Sequence, residues 1–203
     1  MGLIDSLVKD KWLESPDIIG AFRKIKRKDF LPDGLENLAE LNEAISIDYG
    51  QTISQPLVVA FMLEKLGPKP GDKILDVGSG SGWTAALLGH IVGEKGKVVA
   101  IEVIPELKEF GEQNVSKYNF VKKGIVEFIC ADGSDGYEKD APYDRILASA
   151  SGKKLPMAWK NQLRIGGIIV APIGNSIWVF EKKAEKEFKQ FEYPGFVFVP
   201  LVS

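Results

Sequence analysis

The 203-residue chain contains one cysteine, Cys130, and one histidine, His90. A single thiol excludes an intrachain disulfide, and two such residues cannot form a cluster of Cys/His ligands, so no metal site is expected. Cys130 closes the apolar run IVEFIC and reads as a small buried thiol in a strand. His90, in AALLGHIV, falls near the end of a helix, where a polar ring can meet free carbonyls. An excess of one charge is also missing: 26 basic against 28 acidic residues leave a net charge of -2, and the Lys/Arg clusters are short. That balance gives no footprint for nucleic acid or an anionic membrane surface. No stretch approaches the roughly 20 apolar residues of a membrane span. The start, MGLIDSLVKDKWLESPD, carries charges where a signal peptide needs an apolar run. We therefore expect a cytoplasmic protein, and a monomer. Repeats, low-complexity tracts and long linkers are absent, and a chain of this size with 45% hydrophobic residues suits one domain over 1–203.

The pattern along the chain is a helical section over 1–50 followed by an alternating core over 51–203. Ser15-Pro16 reads as an N-cap with proline at the first helical position, and Ile18, Ile19, Phe22 and Ile25 recur at helical spacing. RKIKRK, residues 23–28, falls mostly on the polar side of that helix and reads as a solvated face. Leu35, Leu38, Leu41 and Ile45 form another helical stripe. PLVVAFMLEKLG from Pro56 is a helix ending near a glycine. Strand and helix patterns then alternate: KILDV, TAALLGHIV, KVVAIE, PELKEFGEQNVSKYN, GIVEFICAD, YDRILASA and LPMAWKNQL. GGIIVAPIG, SIWVFEKK and FEYPGFVFVPLV end the chain as strand-like runs. The fold class is thus α/β, a doubly wound, mostly parallel seven-stranded sheet with an antiparallel edge and an N-terminal helical section.

The strongest signal is Asp76-Val77-Gly78-Ser79-Gly80-Ser81-Gly82, directly after a strand and before a helix, with Glu102 ending the next strand. Such a loop lies at the carboxyl edge of the sheet, where doubly wound folds bind ligands, and Glu102 can take two ribose hydroxyls. Gly80-Ser81-Gly82-Trp83-Thr84-Ala85 also fits the looser G-x-G-x-x-A form of a dinucleotide fingerprint. Charge separates the two ligands. A pyrophosphate wants helix-terminal amides free of anions, whereas Asp76 places a carboxylate at the loop and would attract the ammonium and sulfonium of S-adenosylmethionine. Asp132, in Ala131-Asp132-Gly133 at the end of the third strand, can accept the adenine amino group. The competing reading makes these three acids ordinary turn and cap residues.

With these segments in place, the chain resembles the protein-L-isoaspartate O-methyltransferases along nearly its whole length. The segments that carry the resemblance are Ala21-Phe22 through Arg27-Lys28-Asp29-Phe30-Leu31-Pro32, Tyr49-Gly50-Gln51-Thr52-Ile53-Ser54-Gln55-Pro56, and the glycine loop. Ile101-Glu102-Val103-Ile104-Pro105, Ala131-Asp132-Gly133, Ala141-Pro142-Tyr143-Asp144, Gln162-Leu163-Arg164-Ile165-Gly166-Gly167 and Phe198-Val199-Pro200-Leu201 follow. The glycine loop is shared by many methyltransferases, while Gly-Gln-Thr-Ile-Ser-Gln-Pro is far more specific. The resemblance implies S-adenosylmethionine as cofactor, held by Asp76, Gly78, Ser79, Gly80, Ser81, Gly82, Glu102, Val103, Asp132 and Gly133. It implies methyl transfer to the α-carboxylate of L-isoaspartyl residues in damaged protein, with Ser54 as the active-site residue and Thr52, Ile53, Ala150 and Ser151 beside the acceptor. Ser54 also looks like a helix N-cap ahead of Gln55-Pro56. Between Ala44 and Tyr49 the chain is shorter than its relatives, and Ala148 to Lys154 lacks their threonine and proline, so a trimmed acceptor rim is expected.

A carboxylate with a pKa of about 4 is already ionised at neutral pH, so this transfer needs no catalytic base. That suits a chain with one histidine and one cysteine. The alternatives are a diverged methyltransferase acting on a small-molecule or other peptide acceptor, and a non-catalytic protein that binds an adenosyl ligand. Ser54 argues against the second.

Overall fold

The computed structural model describes residues 2–202. The chain opens with α1 (Leu3–Lys9) and α2 (Pro16–Lys24), two 3-10 turns at Arg27–Phe30 and Glu36–Leu38, and a small hairpin of β1 (Ile45–Ser46) and β2 (Thr52–Ile53). The core follows as α3 (Pro56–Leu66), β3 (Lys73–Val77), α4 (Trp83–Val92), β4 (Lys97–Glu102), α5 (Pro105–Ser116), β5 (Val126–Cys130) and β6 (Tyr143–Ala148). It ends with α6 (Met157–Gln162), β7 (Leu163–Ile173), β8 (Ser176–Ala184) and β9 (Glu187–Pro194).

Seven strands form one sheet in the order β5-β4-β3-β6-β7-β8-β9. The first five in that order are parallel, and β8 and β9 add antiparallel. Pairing runs outward from β3 in both directions, so the order reverses between β3 and β6, the place where such sheets open a crevice at their carboxyl edge. Successive residues in the central strands serve opposite faces. Ile74, Val98, Ala100, Leu147 and Val170 join the larger core under α1 to α5. Leu75, Val99, Ile101, Ile146 and Ile169 join a second core with Trp159 of α6. Covering both faces requires continuous apolar runs, which is why KVVAIE and GGIIVAPIG show no alternation.

Several local expectations change. The stripe from Leu35 to Ile45 is not a helix: Gly34 has φ +86, the turn at Glu36–Leu38 is brief, and Ile45 is in β1. The carbonyls of Ala39 and Leu41, which such a helix would use internally, accept hydrogen bonds from Arg27 instead, as does that of Glu43. Arg27 is accordingly buried, and the basic run does not lie on a solvated helix face, because α2 stops at Lys24. Ser15 is the N-cap of α2 by position, but its hydroxyl donates to Glu64 Oε2 at 2.6 Å. Cys130 is exposed, since it ends β5 at the sheet edge. The final run yields strand only to Pro194, and the segment beyond it crosses toward the carboxyl edge.

The junction of β3 and α4 is set by two contacts. Asp76 is fully buried and its Oδ2 accepts from Thr84 Oγ1 of α4 at 2.8 Å. Burial is the main cause that pushes its carboxyl up to about 7, with the Thr84 bond opposing and Glu102 adding to the rise. Gly82 has φ +83, and a Cβ there would stand 2.7 Å from Gly111 O and 2.9 Å from Val115 Cγ2 of α5.

Two outcomes follow for stability. Gly82→Ala should lose clearly more in urea denaturation than Gly34→Ala, whose backbone is also left-handed but whose Cβ meets nothing within 4 Å. The Gly34 change carries only the backbone penalty of about 1 kcal/mol. Equal losses would mean that α4 and α5 have slack there. For Asp76 the folded carboxyl holds its proton well above the ordinary 3.8. Its stabilising contribution is therefore full below that value and lost as pH rises through about 7. Asp76→Asn should flatten the fall in stability across that window, and an unchanged pH profile would contradict the assignment.

Candidate active site

A cleft opens at the carboxyl edge of the sheet. Its floor is the loop after β3, where Gly78 N and Ser79 N donate to Ile101 O at 2.9 and 3.0 Å and Gly82 N donates to Ser79 O at 2.8 Å. One wall is the end of β4. The Glu102 carboxylate is buried and accepts from three backbone amides, Gly80 N at 2.9 Å on Oε2, and Val103 N at 2.9 Å and Ile104 N at 3.1 Å on Oε1. These bonds leave lone pairs on both oxygens, since each can accept twice. Gly133 closes this side, its carbonyl held by Trp159 Nε1 at 2.8 Å.

The opposite wall is β2 and the residues after it. Ile53 pairs with Ile45 and Thr52 with Ser46. Ser54 is half-buried in the wall, and its carbonyl accepts from Arg27 Nη2 at 3.2 Å. It is not an N-cap. That position on α3 belongs to Gln55, which makes no side-chain capping bond, while Asn42 Oδ1 takes the Leu57 amide at 3.0 Å. Among the described residues, no group hydrogen-bonds the Ser54 hydroxyl. Ser149, Ala150 and the C-terminal segment Val199–Val202 complete the mouth. That segment is tied by Ser151 N to Val199 O at 2.8 Å and Leu201 N to Ser151 O at 2.9 Å.

The structure thus gathers Thr52, Ile53, Ser54, Gly78, Ser79, Gly80, Ser81, Glu102, Val103, Gly133 and Ala150 around one cleft. Four expected residues are not in its lining. Asp76 is sealed behind the loop against Thr84, Gly82 packs on Gly111, and Ser151 holds the C-terminal segment from outside. Asp132 turns Oδ1 back onto Ser134 N at 2.8 Å as the cap of a 3-10 turn. Sequence reading missed Trp83, Ser149 and Val199–Val202 as wall residues. The Val199-Pro200-Leu201 motif was visible, but nothing in it says which part of the sheet it will reach.

Glu102 is the only ionisable side chain lining the cleft among the described residues. Asp76 is sealed behind the loop with its carboxyl pushed up to about 7, so the anion expected at the loop is not presented to a ligand, and Glu102 is the carboxylate that the cleft offers. Two donor groups fit the amino-acid end of an adenosyl amino acid: Ser79 Oγ and Trp83 Nε1 are buried in the cleft wall with no partner among the described residues. No histidine, cysteine or lysine lines the cleft among the described residues, and its one carboxylate is engaged by three backbone amides, so the site suits an acceptor that arrives already ionised.

The model of the protein-L-isoaspartate (D-aspartate) O-methyltransferase family matches residues 1–203. A protein-L-isoaspartate O-methyltransferase from Methanopyrus kandleri is 37% identical over 205 residues, spanning 99% of this chain and 90% of its own. One from Archaeoglobus fulgidus is 40% identical over 190 residues, spanning 92% and 85%. A Plasmodium falciparum protein described as a protein-L-isoaspartate O-methyltransferase, solved with S-adenosyl-L-homocysteine, superposes with a TM-score of 0.89 at 21% identity. That match covers 98% of this chain and 96% of the other. At that identity it speaks for the fold alone. A further solved protein-L-isoaspartate O-methyltransferase gives a TM-score of 0.90 at 28% identity, over 99% of this chain and 65% of that one. Matched from end to end in sequence and in fold, this chain belongs to the protein-L-isoaspartate O-methyltransferase family.

Proposed function

We infer that this protein transfers a methyl group from S-adenosylmethionine to the α-carboxylate of L-isoaspartyl residues in damaged proteins, the first step in their repair. The observation that carries the reading is a cleft with one amide-bound carboxylate on its donor side, an unpaired serine hydroxyl on the opposite wall, and no histidine or lysine among its described lining residues. Neither alternative acceptor nor a purely binding role has an observation in its favour. No described helix is long and apolar enough to cross a membrane. We take the enzyme to act as a cytoplasmic monomer on protein substrates, with no nucleic acid involved.

S-adenosylmethionine supplies an electrophilic methyl group on a sulfonium. Glu102 would hold the ribose hydroxyls through its remaining lone pairs, Val103, Ile104 and Gly133 would bound the adenine, and Ser79 and Trp83 would meet the amino-acid end. Asp132, with Oδ1 already engaged, has Oδ2 for the adenine amine. Asp76 serves from behind, through Thr84, by fixing the start of α4. Ser54 donates its hydroxyl to one acceptor carboxylate oxygen, which leaves the other oriented for attack. Thr52, Ile53 and Ala150 confine the acceptor, and Ser151 holds Val199–Val202 across the mouth against water. No proton moves through the protein. The rate gain comes from alignment and exclusion of solvent.

Paired aspartyl and isoaspartyl peptides with labelled methyl donor test the reading: base-labile methyl ester should form on the isoaspartyl member alone, and equal labelling of both would refute it. For the donor side, Glu102→Gln places an amide NH2 against a backbone N–H. Calorimetry should show S-adenosylhomocysteine weakened by about 1–3 kcal/mol. Unchanged affinity would move the ribose elsewhere. For the acceptor side, Ser54→Ala should change stability by less than about 0.5 kcal/mol, because no cap is lost. Its turnover should fall at least about tenfold while donor affinity holds. Ser54→Asp should be nearly inactive, since it faces the incoming carboxylate with its own charge. Wild-type turnover in either variant would remove Ser54 from the chemistry.

A further inference from the structure

Arg27 is 6% exposed, although it stands in the run Arg23 to Lys28. All the bonds from its two terminal nitrogens go to main-chain carbonyls. Nη1 reaches Ala39 O at 3.3 Å and Leu41 O at 2.9 Å, and Nη2 reaches Glu43 O at 2.7 Å and Ser54 O at 3.2 Å. The guanidinium carbon lies 5.4 Å from the ring centroid of Trp83, which lines the cleft. Burial lowers its pKa to about 10, with the charge of Glu40 opposing, so the group stays a cation at neutral pH.

A buried cation whose hydrogen bonds all go to main-chain carbonyls, with an aromatic ring and the Glu40 charge nearby, is a demanding choice, and its Nε has no partner among the described residues. Packing alone would be served by an apolar side chain. What an apolar side chain cannot do is join these four carbonyls, three from residues 39–43 and one from Ser54. The planar fork of arginine spans them, whereas a lysine brings a single nitrogen. Asn42 adds a second tie next to the first, accepting from Gln55 Nε2 at 2.8 Å through its carbonyl. The chain is therefore clamped at Ser54 and just beyond it, while the serine hydroxyl itself is left free.

We propose that Arg27 is a positioning residue for the acceptor: by clamping the Ser54 carbonyl to the 39–43 loop, it sets where the Ser54 hydroxyl meets the substrate carboxylate. The proposal rests on the isoaspartyl reading of the site. Trp83, against the same guanidinium, shares this anchor from the donor side.

Arg27→Lys and Arg27→Met, compared with the intact enzyme, separate positioning from plain packing. We expect the Kd for S-adenosylhomocysteine to stay within about threefold in both, while kcat on an isoaspartyl peptide, per folded molecule, falls by roughly tenfold or more. Lysine should rescue little, because charge without the fork does not restore the geometry. Hydrogen exchange of the amides at residues 52–55 should quicken in both variants. Turnover within about threefold of wild type in a variant that binds S-adenosylhomocysteine overturns the proposal. Wild-type protection at 52–55 in Arg27→Lys does the same. If Arg27→Met fails to fold, Arg27→Lys carries the test. A wild-type enzyme that methylates no isoaspartyl peptide defeats the proposed function instead, and exchange at 52–55 still decides the clamp.

Discussion

Three backbone N–H groups converge on the Glu102 carboxylate, one from the loop after β3 and two from the turn after β4. The rest of the site depends on that convergence. Gly80 has φ +49 and would be free to move in isolation, but the bond from its amide fixes the loop against the neighbouring strand end. The main-chain bonds of Gly78 and Ser79 to Ile101 O then hold the loop's first half on the same strand. One side chain thus sets the floor and one wall of the cleft before any ligand enters. A carboxylate so surrounded by donors is held in one orientation, as the ribose-binding role proposed for it requires.

Buried polar atoms without partners concentrate at the same place. Among the described residues they are Arg27 Nε, Asp76 Oδ1, Ser79 Oγ and Trp83 Nε1, and every one lies in the cleft wall or directly behind it. Unpaired buried polar groups are rare in folded proteins and disfavour the fold wherever they occur. Elsewhere this chain satisfies them with care: Lys182, buried in β8, donates to Lys160 O and Leu163 O at the end of α6. The contrast marks the carboxyl edge of the sheet as the region shaped for ligand binding at the expense of local stability.

The short segment from Ala44 to Tyr49 does not leave the rim bare. It supplies β1, and its Ile47 lies against the glycine loop, with Cδ1 3.3 Å from where a Gly80 Cβ would stand. The turn there places Asp48, Tyr49 and Gly50 all at positive φ, with Tyr49 56% exposed. On the other side, Ser149 N donates to Val77 O, and Ser151 links to the C-terminal segment. The acceptor side is therefore walled by two segments distant in sequence.

The sequence alone determined the order of strands and helices in the core, the glycine loop between β3 and α4, and the placement of Glu102 at a strand end. These depend on apolar periodicity and on glycines at turns, which are local properties of the chain. It did not determine the path from Leu35 to Ile45, where the helical spacing of Leu35, Leu38 and Leu41 was overridden once Arg27 took the carbonyls a helix would need. Nor did it determine which strand-end acids face the ligand. Asp76, Glu102 and Asp132 look equivalent in sequence, yet only the tertiary structure buries the first, opens the second to the cleft and engages one oxygen of the third with Ser134. The reason is physical: a side chain's charge state and direction are set by neighbours brought from other segments, and those exist only when the sheet has closed.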